Sequence, residues 1–206
     1  MILYHDQQGR ITRCVRAPDT EAEFGQMPNE AGFVISDTAT TADESYVLDG
    51  ELVAIPPQPS TWHQWDWSAH AWVPIPGAAA QVQQMRCAAV DAERARRGYL
   101  PIVADGATWD ADELAQRNIT GKALDIASGT DIPETERLWR DAENTNHACA
   151  TTADLQALLT TLWRAISQRG SALYAAGWTL KAQINALPDD DIAAIQTFDI
   201  TQGWPT

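Results

Sequence analysis

The chain reads as an α+β protein: a small antiparallel β domain with a tryptophan-rich hairpin, then a module of β-hairpins and helices packed on one long helix. Three observations predict this. Thr152–Leu187 is uninterrupted by proline and carries apolar residues in steps of three and four. Two Asp-Gly pairs sit between short apolar runs, the strongest local signal for a hairpin. Between residues 62 and 72, four tryptophans follow a Pro-Pro-Gln-Pro segment.

The β region is expected over residues 1–76 and the helix-spined module over 77–206. Met1–His5 and Arg10–Arg16 flank Gln8-Gly9, a turn pair, and Gly32–Ser36 is a β-branched run. Asp49-Gly50 joins Tyr46–Leu48 to Glu51–Ile55, because a type I′ turn needs positive φ at both central residues. Pro56-Pro57-Gln58-Pro59 has few backbone donors and delivers the chain, extended, to the tryptophans. Trp65 and Trp67 share one strand face, and Trp72 returns on the next strand after a turn around Ser68–His70.

Ala78–Arg97 is a predicted helix that ends at Gly98, with arginines at its negative end. The cluster Arg94–Arg97 is either a solvated helix end or an anion site. A hairpin follows over Tyr99–Trp109 around Asp105-Gly106, then a helix started by Asp110 with Glu113 and running to about Ser128. Glu136–Asp141 and His147–Ala150 form a third hairpin, and the four strands of this region are able to pair as one small sheet. Asp189–Asp191 caps a last helix, Ile192–Phe198, and the tail from Gly203 is expected to be loose.

The long helix starts after Thr151, with Asp154 in its positive first turn, and stops before Pro188. At 1.5 Å per residue it is on the order of 50 Å long and needs a partner along all of that length. Its seam is Leu155, Leu159, Leu162, Ile166, Arg169, Leu173 and Leu180, with Ala176, Gln183 and Leu187 in the same register. Either the chain's own shorter helices cover this seam, or copies of the helix meet around a symmetry axis, a trimer included, with Arg169 and Gln183 setting register. Gly170 and Gly177 each cost about 1 kcal/mol of helix propensity relative to Ala, so close packing or a bend is expected at both.

Composition narrows the function classes. The 206 residues carry 14 basic and 28 acidic side chains, a net charge of −14, which disfavours nucleic acid or an anionic membrane as partner. The first 76 residues hold three basic residues against eleven acids and supply −8 of that total. No apolar run approaches the ~18 residues that span a bilayer, and the N-terminus lacks a signal-peptide pattern, so a soluble protein made in the cytoplasm is expected. Cys14, Cys87 and Cys149 are too few and too far apart for a disulfide framework and read as free thiols.

The search for chemistry yields little. Neither a phosphate-binding glycine loop nor a GxSxG nucleophile is present. His63 and His70 beside Asp66 match no metal-ligand spacing, and Asp189–Asp191 lacks the remainder of a calcium loop. Cys149 next to His147 is the nearest thing to a nucleophile pair, with a buried thiol as the plainer reading. No cofactor, no metal and no catalytic residue is assigned. Trp62, Trp65, Trp67 and Trp72 are either core aromatics of a thin β domain or an exposed platform for a protein or sugar partner.

Two stretches together resemble phage tail proteins. The proline-then-tryptophan run from Pro56 to Trp67, completed by Trp72-Val73, is similar to the hairpin that recurs in tail-fibre and tail-fibre-assembly proteins. Ala104–Asp112, Trp139–Asn144 and Leu173–Lys181 resemble an uncharacterised domain found at the end of many phage tail-associated proteins. The resemblance implies a non-enzymatic protein of the virion tail, assembled in the host bacterial cytoplasm, which binds a tail-fibre or baseplate protein. An assembly chaperone that leaves the finished particle is the alternative, and a cell-surface glycan hydrolase a third.

Overall fold

The computed structural model describes residues 1–15, 27–37 and 40–205. The fold is α+β, and it divides into two compact units, Met1–Ala78 and Ala79–Thr206.

Unit 1 is built from short antiparallel strands. β1 (Ile2–His5) is the centre of a three-stranded sheet, between β2 (Ile11–Val15) and β3 (Gly32–Ile35). Arg16, placed at the end of β2 by the sequence pattern, lies outside the described residues. Next come two separate hairpins, β4 (Ser45–Leu48) with β5 (Glu51–Ala54), and β6 (His63–Asp66) with β7 (Ala71–Pro74). Asp49 and Gly50 have φ of 51° and 83°, the conformation a type I′ turn demands. Gly9 is required for a different reason. Its φ is 76°, and a Cβ there would fall 1.9 Å from the Val47 carbonyl oxygen, so only glycine lets β4 approach the β1–β2 turn.

Unit 2 is organised on α3 (Thr152–Asn185), a helix of 34 residues. Thr151 and Asp154 form a reciprocal capping box, satisfying two donors that a helix start leaves orphaned. Along its first half, α3 packs against α2 (Glu113–Ala127) and the hairpin of β8 (Ile102–Ala104) and β9 (Ala107–Trp109). Ile102, Trp109, Ile119, Leu155, Leu159 and Leu162 are buried together there. Along the second half runs α1 (Ala78–Gly98), antiparallel to it: Gln83 reaches Asp189, Cys87 reaches Asn185, and Asp91 binds Lys181 at 2.6 Å. The short helix α4 (Ile192–Thr197) is capped by Asp191.

Three expectations need correction. The four strands near α2 do not pair as one sheet: β8–β9 and β10 (Leu138–Arg140) with β11 (Asn146–Ala148) are separate ribbons. Three-residue strands are too short to reach further, and the ribbons are tied instead by the Ala142 N–H donating to the Thr108 carbonyl. The cap of α2 is Asp112, which accepts from the Ala115 N–H at 2.8 Å; Asp110 lies before the helix. The tail is not loose as far as Pro205. The Trp204 indole donates to the Ile200 carbonyl, and its ring lies beside Gly177 and under Arg97. A Cβ at 177 would meet that ring, Arg94 and Val90 at ordinary contact distance, so the packing there is close without demanding glycine.

Candidate functional site

The tryptophan hairpin is the first candidate. In unit 1, Trp65 and Trp72 are cross-strand partners, so their rings meet at 5.5 Å, edge to face. Trp67, just past the end of β6, touches Trp65 at 6.2 Å, again edge-on. Tyr46 of β4 closes the other side of Trp65 at 5.5 Å and stacks flat on His70 at 4.6 Å. The Arg10 guanidinium lies 5.3 Å from the Trp67 ring, and the Trp72 indole donates to the Pro56 carbonyl. Trp65 is thus the hub of a cluster, its own indole nitrogen buried without a partner among the described residues.

All four tryptophans are half-buried, neither core nor free platform in the sense set out above. Trp65, Trp67 and Trp72 come together, while Trp62 makes no ring contact among the described residues. Tyr46 and Arg10 complete the cluster from far upstream in sequence, where nothing in the local pattern points to them, and His70 joins from the hairpin turn by stacking on Tyr46. His63 bonds to the Ser60 hydroxyl and His70 to the Gln8 carbonyl, so the two histidines face different partners.

The helix seam is the second candidate. Leu155, Leu159, Leu162, Ile166, Leu173 and Leu180 are buried within the single chain, where the chain's own elements cover them. These side chains therefore offer no surface to a second copy of the helix. Arg169 is held in the same way. Its guanidinium donates to the carbonyls of Gly98, Leu100 and Pro101, binding the end of α1 and the start of β8 to the spine. Burial pulls its pKa below the usual arginine value. The arginines at the end of α1 are committed too: Arg96 and Arg97 clamp Glu93, whose carboxyl is held down at about 2 chiefly by the Arg96 hydrogen bond. With one carboxylate against two guanidiniums, the helix end keeps a net positive charge that suits the negative end of its dipole.

The third candidate is the pair Asp141–His147. The His147 Nε2 lies 2.8 Å from an Asp141 carboxylate oxygen, and the other oxygen accepts from the N–H groups of Glu143 and Thr145. Asp141 is only 7% exposed. The hydrogen bond from His147, with help from Thr145, pulls its carboxyl below the ordinary range. A carboxylate that orients an imidazole is half of a catalytic arrangement, but Cys149 does not supply a nucleophile: burial raises its thiol pKa, opposite to what a reactive thiolate needs. The geometry is that of a brace across the β10–β11 loop, with Trp109 against the imidazole at 4.7 Å.

Among the described residues no group of three or more His, Cys, Asp or Glu side chains converges as a metal site. No helix of the described residues is long and apolar enough to cross a membrane.

What unit 2 defines as a class is an α+β domain spined by a single long helix, with hairpins clasping one half and an antiparallel helix the other. Residues 79–201 match the family described as a domain of unknown function, DUF4376, and the chain belongs to that family. No curated protein matches the chain, and no solved structure does.

Proposed function

We propose that this chain is a non-enzymatic component of a phage tail, attached to the tail-fibre or baseplate apparatus through protein–protein contacts. The observation that carries the reading is the amount of large apolar surface that unit 2 turns outward from rigid elements. Val103 on β8, Leu114 and Leu124 on α2, and Trp163 and Trp178 on α3 are all exposed. Apolar side chains presented by rigid helices and a hairpin mark contact surfaces. The resemblance of the proline-then-tryptophan hairpin to tail-fibre-associated proteins supplies the setting.

Quantitative mass spectrometry on particles purified from lysates of a phage encoding this chain tests the proposal. A stoichiometric level in the purified particle is the expected result. Presence in the lysate with absence from the particle would assign the chain to assembly instead, and cleavage of cell-surface glycan by the purified protein would overturn the non-enzymatic reading.

A further inference from the structure

On α3, along the flank next to the one that forms the seam, lies a second stripe: Trp163, Ser167, Gly170, Ser171, Tyr174 and Trp178. At 3.6 residues per turn these six fall within an arc of about 100°. Trp163, Tyr174 and Trp178 are 46%, 56% and 73% exposed, and a Cβ on Gly170 would meet no atom within 4 Å. Gly170 therefore costs about 1 kcal/mol of helix propensity with no packing compensation among the described residues. Arg94 supports the Tyr174 ring at 4.3 Å and holds it outward.

We infer that this stripe is the interface of an antiparallel two-fold dimer of the chain, with the axis between Gly170 and Ser171. The dimer takes Leu124, Trp163 and Trp178 from the surface that supports the phage-tail reading and leaves Val103 and Leu114 to a tail partner, so a monomer in solution would sink the dimer without touching that reading. The order of side chains carries it. Counted from Trp163, the steps are four, three, one, three and four, the same in both directions. Reversing one helix on another about that midpoint sets Trp163 against Trp178, Ser167 against Tyr174 and Gly170 against Ser171. Each large ring meets a small residue or another ring, and the smallest residues fall on the axis, where two backbones come nearest. An isologous interface needs this self-complementarity.

Charge and area agree with a second copy as the occupant. The chain carries −14, yet α3 has one acid, Asp154, which is spent on the N-terminal cap. Lys181 is bound to Asp91 and Arg169 to backbone carbonyls, and Arg164, exposed beside Trp163, falls at the level of Gly177 in the reversed copy, so like charges do not meet across the stripe. A buried aromatic covers ~150–250 Å², so the exposed parts of the three rings contribute roughly 350 Å² per copy, or roughly 700 Å² for the pair. Leu124, 65% exposed, lines an apolar groove of about 340 Å³ with Trp163 and extends the patch along α2. Full burial of these side chains in both copies comes to about 900 Å², the size of a weak, reversible interface.

The full chain should sediment at twice the monomer mass at micromolar concentration. Ser171→Glu places two carboxylates at the axis and should weaken association at least about 100-fold, since like charges across an interface cost several kcal/mol and each 1.4 kcal/mol is tenfold. Ser171 is exposed, so the far-UV circular dichroism and melting curve of the variant should match wild type. With Cys14, Cys87 and Cys149 replaced by serine, a mixture of Ser167→Cys and Tyr174→Cys chains should cross-link to each other more than either does to itself. A monomer or trimer mass would overturn the inference, the monomer leaving the stripe to a different protein. Self-linking within each single variant would show parallel helices and overturn the antiparallel arrangement.

Discussion

Unit 1 and unit 2 solve the same problem, burying enough apolar surface with short strands, by opposite means. Unit 2 delegates the task to one helix: ten of its residues from Ile102 to Ile166 form a single buried cluster, and half of them come from α3. Among its described residues, unit 1 has no long element. Its second half relies on ring edges, with Trp65 touching Tyr46, Trp67 and Trp72, and every one of these tryptophans still reaches the surface. An aliphatic seam is continuous and cooperative, whereas an aromatic cluster concentrates stability in one hub. Substitutions in the two units should therefore fail differently.

The largest effect is expected on the spine. Leu162→Asp together with Ile166→Asp puts two unpaired carboxylates into the centre of the cluster, each adding the cost of a buried charge to a lost side chain worth about 2–5 kcal/mol. Unit 2 should lose its cooperative thermal transition in far-UV circular dichroism while the tryptophan hairpin signal persists. A melting curve like that of wild type would remove α3 from its place as the spine. Next is Trp65→Ala. From sequence alone this substitution is expected to weaken a partner more than the fold, but the hub position reverses that order. A half-buried ring that holds three others should cost about 2–3 kcal/mol of unit 1 stability, below the ~3–5 kcal/mol of a fully buried one. Near-UV circular dichroism during urea denaturation reads it, and a midpoint unchanged from wild type would return the cluster to the status of a platform.

A third effect lies where seam and neighbours are joined. Arg169→Met keeps the aliphatic stem and removes the fork that binds Gly98, Leu100 and Pro101. Hydrogen bonds to a charged donor are worth about 1.5–3 kcal/mol, and the exposed carbonyls recover part of that from water, so a loss of about 1–2 kcal/mol is expected. Hydrogen exchange should rise first at the α1–β8 connection. Uniform protection in the variant would show that apolar contacts alone fix that connection.

Much of this architecture is legible from local chemistry. Asp49-Gly50 and Asp105-Gly106 mark their hairpins because only a few residues tolerate positive φ twice in succession, and Thr151 with Asp154 marks the start of α3 because the capping box is written in four residues. What stayed hidden depends on residues far apart. Arg169 falls in register with the seam, so periodicity assigns it to a helix partner; only the fold shows that three carbonyls some seventy positions earlier claim it. Trp204 looks like part of a loose tail because its seat, Gly177, belongs to another element. The outer stripe of α3 was missed for a related reason: a pattern search finds the stronger periodicity, and two tryptophans and a tyrosine among serines do not compete with six leucines and isoleucines.

The smallest expected effect sharpens the contrast at the β10–β11 brace, which belongs to unit 2 but is held by polar contacts. Asp141 has its carboxyl pKa lowered in the folded chain, first by His147 and then by the Thr145 N–H. A depressed carboxyl contributes stability that is complete above its unfolded value, near 3.9, and is lost as pH falls through the lower folded value. Urea midpoints measured from pH 6 down to pH 3 should therefore decline more steeply for wild type than for Asp141→Asn, which has no proton to take up at that site. Other depressed carboxyls, Glu93 and Asp91 among them, titrate in the same window, so the difference between the two curves isolates Asp141. Parallel curves would mean that the brace is held by the backbone N–H bonds, which asparagine can still accept, and that the charge on the pair contributes nothing.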